Sequence, residues 1–158
     1  MIDVDLYRLA DSPKDWPKTL RREPGVYELI VVQENEIPQP LDRVAGQDLG
    51  ALLYIGQVGV LRSRLADIRR TLCEGRPGPG PMPAMTYQAS PCWRTIAPPA
   101  QIRFRFTHCG DCRDEEVRRL KRYFQIFGEV PPLNGRAEFI RRRSPVLEDT
   151  QVMSDLSD

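Results

Sequence analysis

Proline is the sequence feature that most restricts how this chain folds, because it can neither continue a helix interior nor pair within a central strand. Seven of the 15 prolines, with three of the 11 glycines, lie in residues 75–100. We therefore predict a long surface loop there, without regular structure, inserted into the domain. Residues 33–50 contain two prolines and two glycines, which predicts an extended loop or an irregular hairpin connection.

Three segments between these breaks have the pattern of strands. Residues 25–32 and 51–57 are apolar, and the first is rich in β-branched side chains, as buried strands are. Because the two segments are close in sequence, we expect them to pair antiparallel. Residues 101–107 alternate apolar side chains with arginines, which predicts a strand with one face in the core and a cationic face in solvent.

Two segments have the pattern of helices. Residues 60–73 place four apolar side chains on one helical stripe, namely Leu61, Leu65, Ile68 and Leu72. Residues 111–127 are predicted to begin at a capping Asp111 or Asp114 and to end at Gly128. The side chains of this helix that we expect to face the core are Val117, Leu120, Phe124 and Phe127.

The order strand, strand, helix, loop, strand, helix predicts an α+β fold. Its centre would be a small, mainly antiparallel three-stranded sheet flanked by helices. A chain of 158 residues is long enough for one domain of ordinary size. We predict a single domain at residues 1–143, with its core at 24–136, and an acidic, disordered tail at 144–158.

Hydropathy and cysteine content bear on the compartment. The uninterrupted apolar runs, such as residues 29–32, are short, too short to cross a membrane. The first five residues lack the basic and apolar regions of a signal peptide. We therefore expect a cytoplasmic protein with no membrane partner, whose four cysteines are free thiols or metal ligands rather than disulfides.

Charge is unevenly distributed, although the net charge is only +1. Residues 51–147 carry 17 Lys and Arg against 8 Asp and Glu, a net charge of +9, and 20 of the 23 cationic residues in the chain are arginine. Arginine forms paired hydrogen bonds with phosphate, which favours a nucleic acid partner; solvated arginine faces are the alternative. The candidate contacts to the nucleic acid backbone are Arg62, Arg69, Arg103 and Arg105.

One short motif begins the first predicted strand, and another stands near the end of the second. Gly-Val-Tyr stands at residues 25–27 and Tyr-Ile-Gly at 54–56, so antiparallel pairing would bring two tyrosines together. The second motif continues through residues 54–65 into a helix that bears Arg64, and the sequence Phe-Gly-Glu-Val-Pro-Pro-Leu-Asn-Gly stands at 127–135. In these features the chain resembles the GIY-YIG nuclease superfamily over about residues 24–136. The resemblance implies that family's fold and its activity, the hydrolysis of phosphodiester bonds.

The resemblance also implies a catalytic set and a metal ion. Glu116 would hold one Mg²⁺ or Mn²⁺ ion, with the adjacent Glu115 as the alternative ligand. Arg64 would contact the scissile phosphate. Tyr27 would act as general base or orient the attacking water, with Tyr54 beside it.

Two further positions bear on the resemblance. Asn134 matches the family's terminal asparagine and would support the site from behind the glutamate-bearing helix. Many members of the family have a histidine or another polar group one turn after the arginine, whereas this chain has Ile68. The single histidine, His108, follows the third predicted strand; it could reach the site or be structural.

The four cysteines form a second candidate site. Cys109 and Cys112 have the C-x₂-C spacing of a zinc knuckle. Together with Cys73 and Cys92 they could bind a structural Zn²⁺ ion that holds the proline-rich loop. Buried free thiols are the alternative.

The sequence therefore predicts a metal-dependent endonuclease that acts on DNA, duplex or branched. A protein partner or a homodimer would supply specificity, since small members of the family commonly need one. Two alternatives stay open: a catalytically weak or inactive nucleic-acid-binding module on the same fold, and a zinc-stabilised interaction domain.

Overall fold

A computed structural model describes residues 5–76 and 80–135 of the chain. Its strands, in chain order, are β1 (Tyr7–Arg8), β2 (Gly25–Val31), β3 (Leu41–Arg43), β4 (Gly46–Asp48), β5 (Leu52–Val58) and β6 (Ile102–His108). Its α-helices are α1 (Leu61–Leu72), α2 (Met82–Ala89), α3 (Cys92–Ile96) and α4 (Cys112–Phe127). The α+β class is confirmed.

The main sheet is antiparallel and has the order β1-β6-β2-β5. The three predicted strands are present as β2, β5 and β6, and the expected antiparallel pairing of β2 with β5 is confirmed. The two-residue strand β1 adds a fourth strand beside β6. A strand of two residues is too short to show alternation, so no sequence pattern predicted it.

Strand β2 lies between β5 and β6, and its register determines which residues share a face. Tyr27 lies opposite Gly56 of β5 and Phe106 of β6, while Glu28 lies opposite Ile55 and Arg105. Because side chains alternate along a strand, the Tyr27 and Glu28 side chains lie on opposite faces of the sheet.

Helix α1 covers the Tyr27 face of the sheet. All four side chains of its predicted apolar stripe are buried. Gly25, on the Tyr27 face by alternation, allows the close approach: a Cβ atom there would lie 2.6 Å from Cδ2 of Leu61 and 2.9 Å from the Thr107 carbonyl oxygen. Part of residues 5–24, the lead-in segment, packs on the same face, where the buried Trp16 ring meets Phe104 edge-on at 5.1 Å between centroids.

Helix α4 covers the Glu28 face, where Arg119 reaches both Glu28 and Thr107. It is capped by Asp111, whose carboxylate accepts a hydrogen bond from the Asp114 N–H at 3.1 Å, and it ends at Gly128 with a φ of 71°.

The prediction for the buried face of α4 was partly wrong. Phe124 is 42% exposed and Val117 is only half-buried, whereas the buried residues are Cys112, Glu116, Leu120 and Tyr123. The prediction assumed that the apolar side chains of α4 mark its buried face. Two polar residues, Glu116 and Tyr123, are buried there instead. Tyr123 can be buried since its hydroxyl donates a hydrogen bond to Asp48 at 3.0 Å.

The prediction of an unstructured loop at residues 75–100 was wrong. The segment contains α2, α3 and a 3₁₀ turn at Pro99–Gln101. The five prolines between residues 81 and 99 stand at the cap or first turn of these helices, where no helical N–H hydrogen bond is lost. Helix α2 is anchored by the buried Tyr87, whose hydroxyl donates to the Ala97 carbonyl at 2.8 Å.

Between β2 and β5, the structure selects the hairpin alternative. Strands β3 and β4 pair antiparallel, and Arg43 donates to the Val130 carbonyl at 2.7 Å, which ties the hairpin to the segment after α4.

The predicted acidic tail at 144–158 lies outside the described residues. In the described ranges, no helix has the length and apolar character needed to span a membrane.

Candidate active site

The two motif tyrosines lie side by side. The Tyr27 and Tyr54 rings are 5.7 Å apart between centroids, with their planes inclined by 34°. Both residues are buried. The predicted proximity of the two phenols is therefore confirmed.

Gly56 makes room for this pair. A Cβ atom at Gly56 would lie 2.4 Å from Cε1 of Tyr54 and 3.0 Å from the Tyr27 hydroxyl oxygen. Real Cβ atoms do not approach other atoms that closely, so any other residue here would displace at least one ring. Packing of the two tyrosine rings therefore requires glycine at the last position of the Tyr-Ile-Gly motif.

Arg64 and Glu116 act on the same tyrosine. Burial raises the pKa of Tyr27 well above its usual value; Tyr54 and Glu116 raise it further, while the Arg64 guanidinium opposes the shift. Arg64 is half-buried on α1, and Glu116 on α4 is 5% exposed. Tyr54 of β5, Arg64 of α1 and Glu116 of α4 therefore all lie within electrostatic range of Tyr27.

Asn134 supports the strand that bears Tyr54. Its side-chain oxygen accepts a hydrogen bond from the Ile55 N–H at 3.0 Å, and its side-chain nitrogen donates to the Ile55 carbonyl at 2.8 Å. The Leu133 N–H also donates to the Leu53 carbonyl at 2.9 Å. The segment after α4 therefore lies along the edge of β5, as the supporting role of Asn134 requires.

The two neighbouring glutamates of α4 have different environments. Glu115 accepts hydrogen bonds from Arg118 and Arg119, which lower the pKa of its carboxyl group. Glu116 is buried, and its charge raises the pKa of Tyr27. Of the two, Glu116 is the better placed to act in the site.

A metal ion here would depend on a single protein carboxylate. Within the described part of the chain, no three His, Cys, Asp or Glu side chains are grouped as a metal site of several protein ligands would need. One carboxylate with several water molecules is, however, a usual environment for Mg²⁺. The buried carboxylate of Glu116 fits such an ion.

The structure does not place the two α1 arginines on a free surface. Arg62 donates hydrogen bonds to the carbonyls of Leu20, at 3.0 Å, and of Pro13. Arg69 donates to the Asp11 carbonyl at 2.8 Å and pairs with Glu74. Both side chains hold the lead-in segment against α1, and Arg69 also pairs with a residue just after that helix. Their placement therefore does not support the prediction that they contact a nucleic acid backbone.

The two β6 arginines are also engaged within the protein. The predicted solvent-facing position was wrong for Arg103, whereas the Arg105 side chain stays 37% exposed. Arg103 is 2% exposed and donates two hydrogen bonds to Glu36, at 2.6 and 2.9 Å. Arg105 pairs with the buried Glu28. Carboxylates from the acidic first third of the chain thus neutralise arginines of the basic segment.

Glu28 is a residue of the site region that sequence reasoning missed. Its carboxylate pairs with Arg105 and, at 3.1 Å, with Arg119 of α4. Arg119 also donates to Glu115 at 2.6 Å. This network joins the strand of Tyr27 to the helix of Glu116. The sequence feature that could have indicated Glu28 is its charge, since it is the one charged residue in an otherwise apolar strand.

His108 and Ile68 have structural environments. The His108 ring nitrogens lie 3.0 Å from the Pro24 carbonyl oxygen and 3.1 Å from that of Thr19, so the histidine attaches the lead-in to the end of β6. Ile68 is fully buried in the α1 stripe. Neither residue supplies the polar group that many GIY-YIG members have after the arginine.

The four cysteines do not form the predicted zinc cluster. Cys109 and Cys112 are joined by a disulfide, which contradicts the expectation of free or metal-bound thiols at these positions. Cys73 is a half-buried free thiol and Cys92 an exposed one. The two-residue spacer that suits a zinc knuckle equally suits a short disulfide loop, and spacing alone could not distinguish them.

Comparisons of the chain with protein families, with curated proteins and with solved structures give no match. The function is therefore inferred from the side chains that lie near Tyr27 and from their chemistry.

Proposed function

We propose that this protein is a metal-dependent endonuclease of the GIY-YIG type, which hydrolyses phosphodiester bonds in DNA. The observation that carries the proposal is that Tyr54 packs against Tyr27, and that Arg64 and Glu116, from two further elements, lie within electrostatic range of it. Each of these side chains, taken alone, commonly has a purely structural role. Their proximity, in the order of the family's motifs, favours a shared chemical role.

The chemistry requires a positioned water and stabilisation of negative charge on the phosphate. Arg64 carries a fixed positive charge next to Tyr27, where it would bind the phosphate and stabilise the charge that develops in the transition state. The raised pKa of Tyr27 keeps its hydroxyl protonated near neutral pH. This supports a role for Tyr27 in holding and orienting the attacking water rather than in removing its proton.

Glu116 would hold the divalent ion. When bound, Mg²⁺ or Mn²⁺ would supply Lewis-acid stabilisation of the phosphate and its leaving oxygen. The protein's own contribution is positional: Asn134 fixes the backbone between Tyr54 and Gly56, and Glu28 joins β2 to α4 through Arg119.

A nucleic-acid-binding module with little catalytic activity is the second candidate. The observation that favours it is the fully buried Ile68, which leaves the α1 position after Arg64 without a polar group. Such a module would bind DNA without cleaving it.

Incubation of the purified protein with supercoiled plasmid and with branched DNA tests the proposal. We expect nicking or cleavage with Mg²⁺ or Mn²⁺ and none with EDTA. Glu116→Gln should reduce the rate at least a hundredfold, whereas the matched variant Glu115→Gln should retain most activity. Thermal melting of both variants confirms folding.

The alternatives give different results in the same experiment. DNA binding without cleavage under all metal conditions would favour the binding module. An active Glu116→Gln protein beside an inactive Glu115→Gln protein would show that the other carboxylate holds the metal. Cleavage by both variants would refute the assigned mechanism.

A further inference from the structure

The Cys109–Cys112 disulfide closes a short loop between two elements of the site. It lies between the end of β6 and the first turn of α4, since Cys112 is the first residue of that helix. Cys109 is half-buried, and the two residues between the cysteines, Gly110 and Asp111, are exposed. A Cβ atom added at Gly110 would meet no atom within 4 Å. The loop is therefore exposed, and Cys109 is the more accessible of the two cysteines, since Cys112 is only 6% exposed.

We infer that Cys109 and Cys112 form a thiol–disulfide exchange site for small thiols and disulfides of the glutathione type. A disulfide that serves only as a structural staple gains most from closing a long loop, whereas this one spans a sequence separation of three. The C-x₂-C arrangement at a helix N-terminus is one in which a cysteine thiolate is stabilised. Accessibility of one sulfur and stabilisation of the other are the two requirements for exchange.

The exchange proceeds in two balanced steps. The thiolate of one small thiol attacks Sγ of Cys109, the more accessible cysteine, so that a mixed disulfide forms and Cys112 leaves as a thiolate. A second small thiol attacks the mixed disulfide and releases a small-molecule disulfide, while Cys109 and Cys112 take up two protons. The protein pair gains two electrons, and two small thiols are oxidised to one disulfide. The reverse reaction closes the loop again.

The state of this pair affects the start of α4. Cys112 and Glu116 are one turn apart on the same buried face of the helix, and the Cys109 N–H donates to the Pro24 carbonyl at 3.4 Å, beside the start of β2. The disulfide therefore holds the first turn of α4 against the sheet end that carries Tyr27. Reduction frees that turn, and we expect it to lower the cleavage rate; this consequence rests on the proposed function.

Redox titration tests the exchange itself. The double variant C73S/C92S retains only the pair, and it is equilibrated in mixtures of reduced and oxidised glutathione, then alkylated and weighed by mass spectrometry. The thiol-to-disulfide ratio should change tenfold for about 30 mV of ambient potential, as a two-electron couple requires. A pair that stays oxidised in excess dithiothreitol while the protein is folded would overturn the inference, as would one that stays reduced in oxidised glutathione.

Hydrogen exchange tests the coupling to α4 independently of catalysis. Backbone amides of residues 112–116 should exchange at least fivefold faster in the reduced protein, and C109S/C112S should reproduce the reduced form. Plasmid nicking should fall at least threefold on reduction. A reversible couple with unchanged amide exchange would refute the coupling. If neither redox form cleaves DNA, the nuclease proposal fails, while the titration still decides the exchange site.

Discussion

The side-chain amide of Asn134 and the backbone of Ile55 form two hydrogen bonds, at 3.0 and 2.8 Å. Ile55 is the central residue of the Tyr-Ile-Gly motif, and the residues are 79 positions apart. The Asn134 side chain thus forms with the edge strand β5 the kind of paired hydrogen bonds that a neighbouring strand would form. One buried side chain thereby satisfies the N–H and the carbonyl of Ile55 on the open edge of β5.

Replacing Asn134 by alanine should leave the Ile55 N–H and carbonyl without partners in a buried position. We expect the free energy of unfolding to fall by about 1–3 kcal/mol, measured by urea denaturation, and the cleavage rate to fall as well. The control is Asn35→Ala, since Asn35 is exposed and its side chain accepts only a local hydrogen bond from Ile37. Equal stability of the two variants would contradict the role given to Asn134.

Gly56→Ala should force the tyrosine pair apart, because the new Cβ would lie 2.4 Å from Tyr54. Strain of this kind in a packed region costs about 1–3 kcal/mol. Gly59→Ala is the matched control, since a Cβ there meets nothing within 4 Å. The Gly56→Ala protein should have a lower melting temperature and a lower nicking rate than the Gly59→Ala protein. A fully active, equally stable Gly56→Ala protein would show that the tyrosine geometry is not required.

Arg103→Met should act on stability rather than on DNA binding. It removes the paired hydrogen bonds to Glu36 and should cost about 1–3 kcal/mol. The dependence of DNA affinity on salt should stay the same, because Arg103 is buried. Arg22→Met, at an exposed position, should change stability by less than about 0.5 kcal/mol. A shallower salt dependence in the folded Arg103→Met protein would restore Arg103 as a phosphate contact.

Alkaline pH should destabilise the protein through Tyr27. Burial holds the folded-state pKa of Tyr27 well above its usual value of about 10. The stability that this shift contributes is fully present below about pH 10 and is lost as the pH rises towards the folded-state pKa. One such group lowers the free energy of unfolding by about 1.4 kcal/mol per pH unit in that window. Urea denaturation between pH 8 and 11 should show this loss, and Tyr27→Phe should reduce it. An identical pH dependence in the variant would contradict the buried, protonated state of Tyr27.

Much of the fold could be predicted because local patterns and tertiary packing agree. The strands of both tyrosine motifs, the α1 stripe and the two ends of α4 follow from apolar periodicity, a capping Asp111 and Gly128. Proline was misread at residues 75–100, where its effect depends on position: it breaks a helix from the interior and begins one from the first turn. Composition records how many prolines there are but not which of them start helices.

Side-chain partners far apart in sequence could not be predicted. The alternation of β6 correctly placed its arginines opposite its aromatic residues, but only the folded chain brings Glu36 and Glu28 over them. The same applies to Tyr123, which is buried because Asp48 accepts its hydrogen bond. Pairing of this kind depends on distances between elements, which no local pattern contains.

The sequence by itself determined the α+β class and the adjacency of the two tyrosine motifs, because backbone periodicity is a local property. The candidate residues Tyr27, Tyr54, Arg64, Glu116 and Asn134 were implied by the resemblance of its motifs to the GIY-YIG nucleases. The tertiary structure alone decided that Glu116 rather than Glu115 points inward, that Arg62, Arg69, Arg103 and Arg105 serve internal contacts, and that Cys109 pairs with Cys112. Helix phase and charge pairing are settled by which surfaces become buried together, and burial depends on the whole fold.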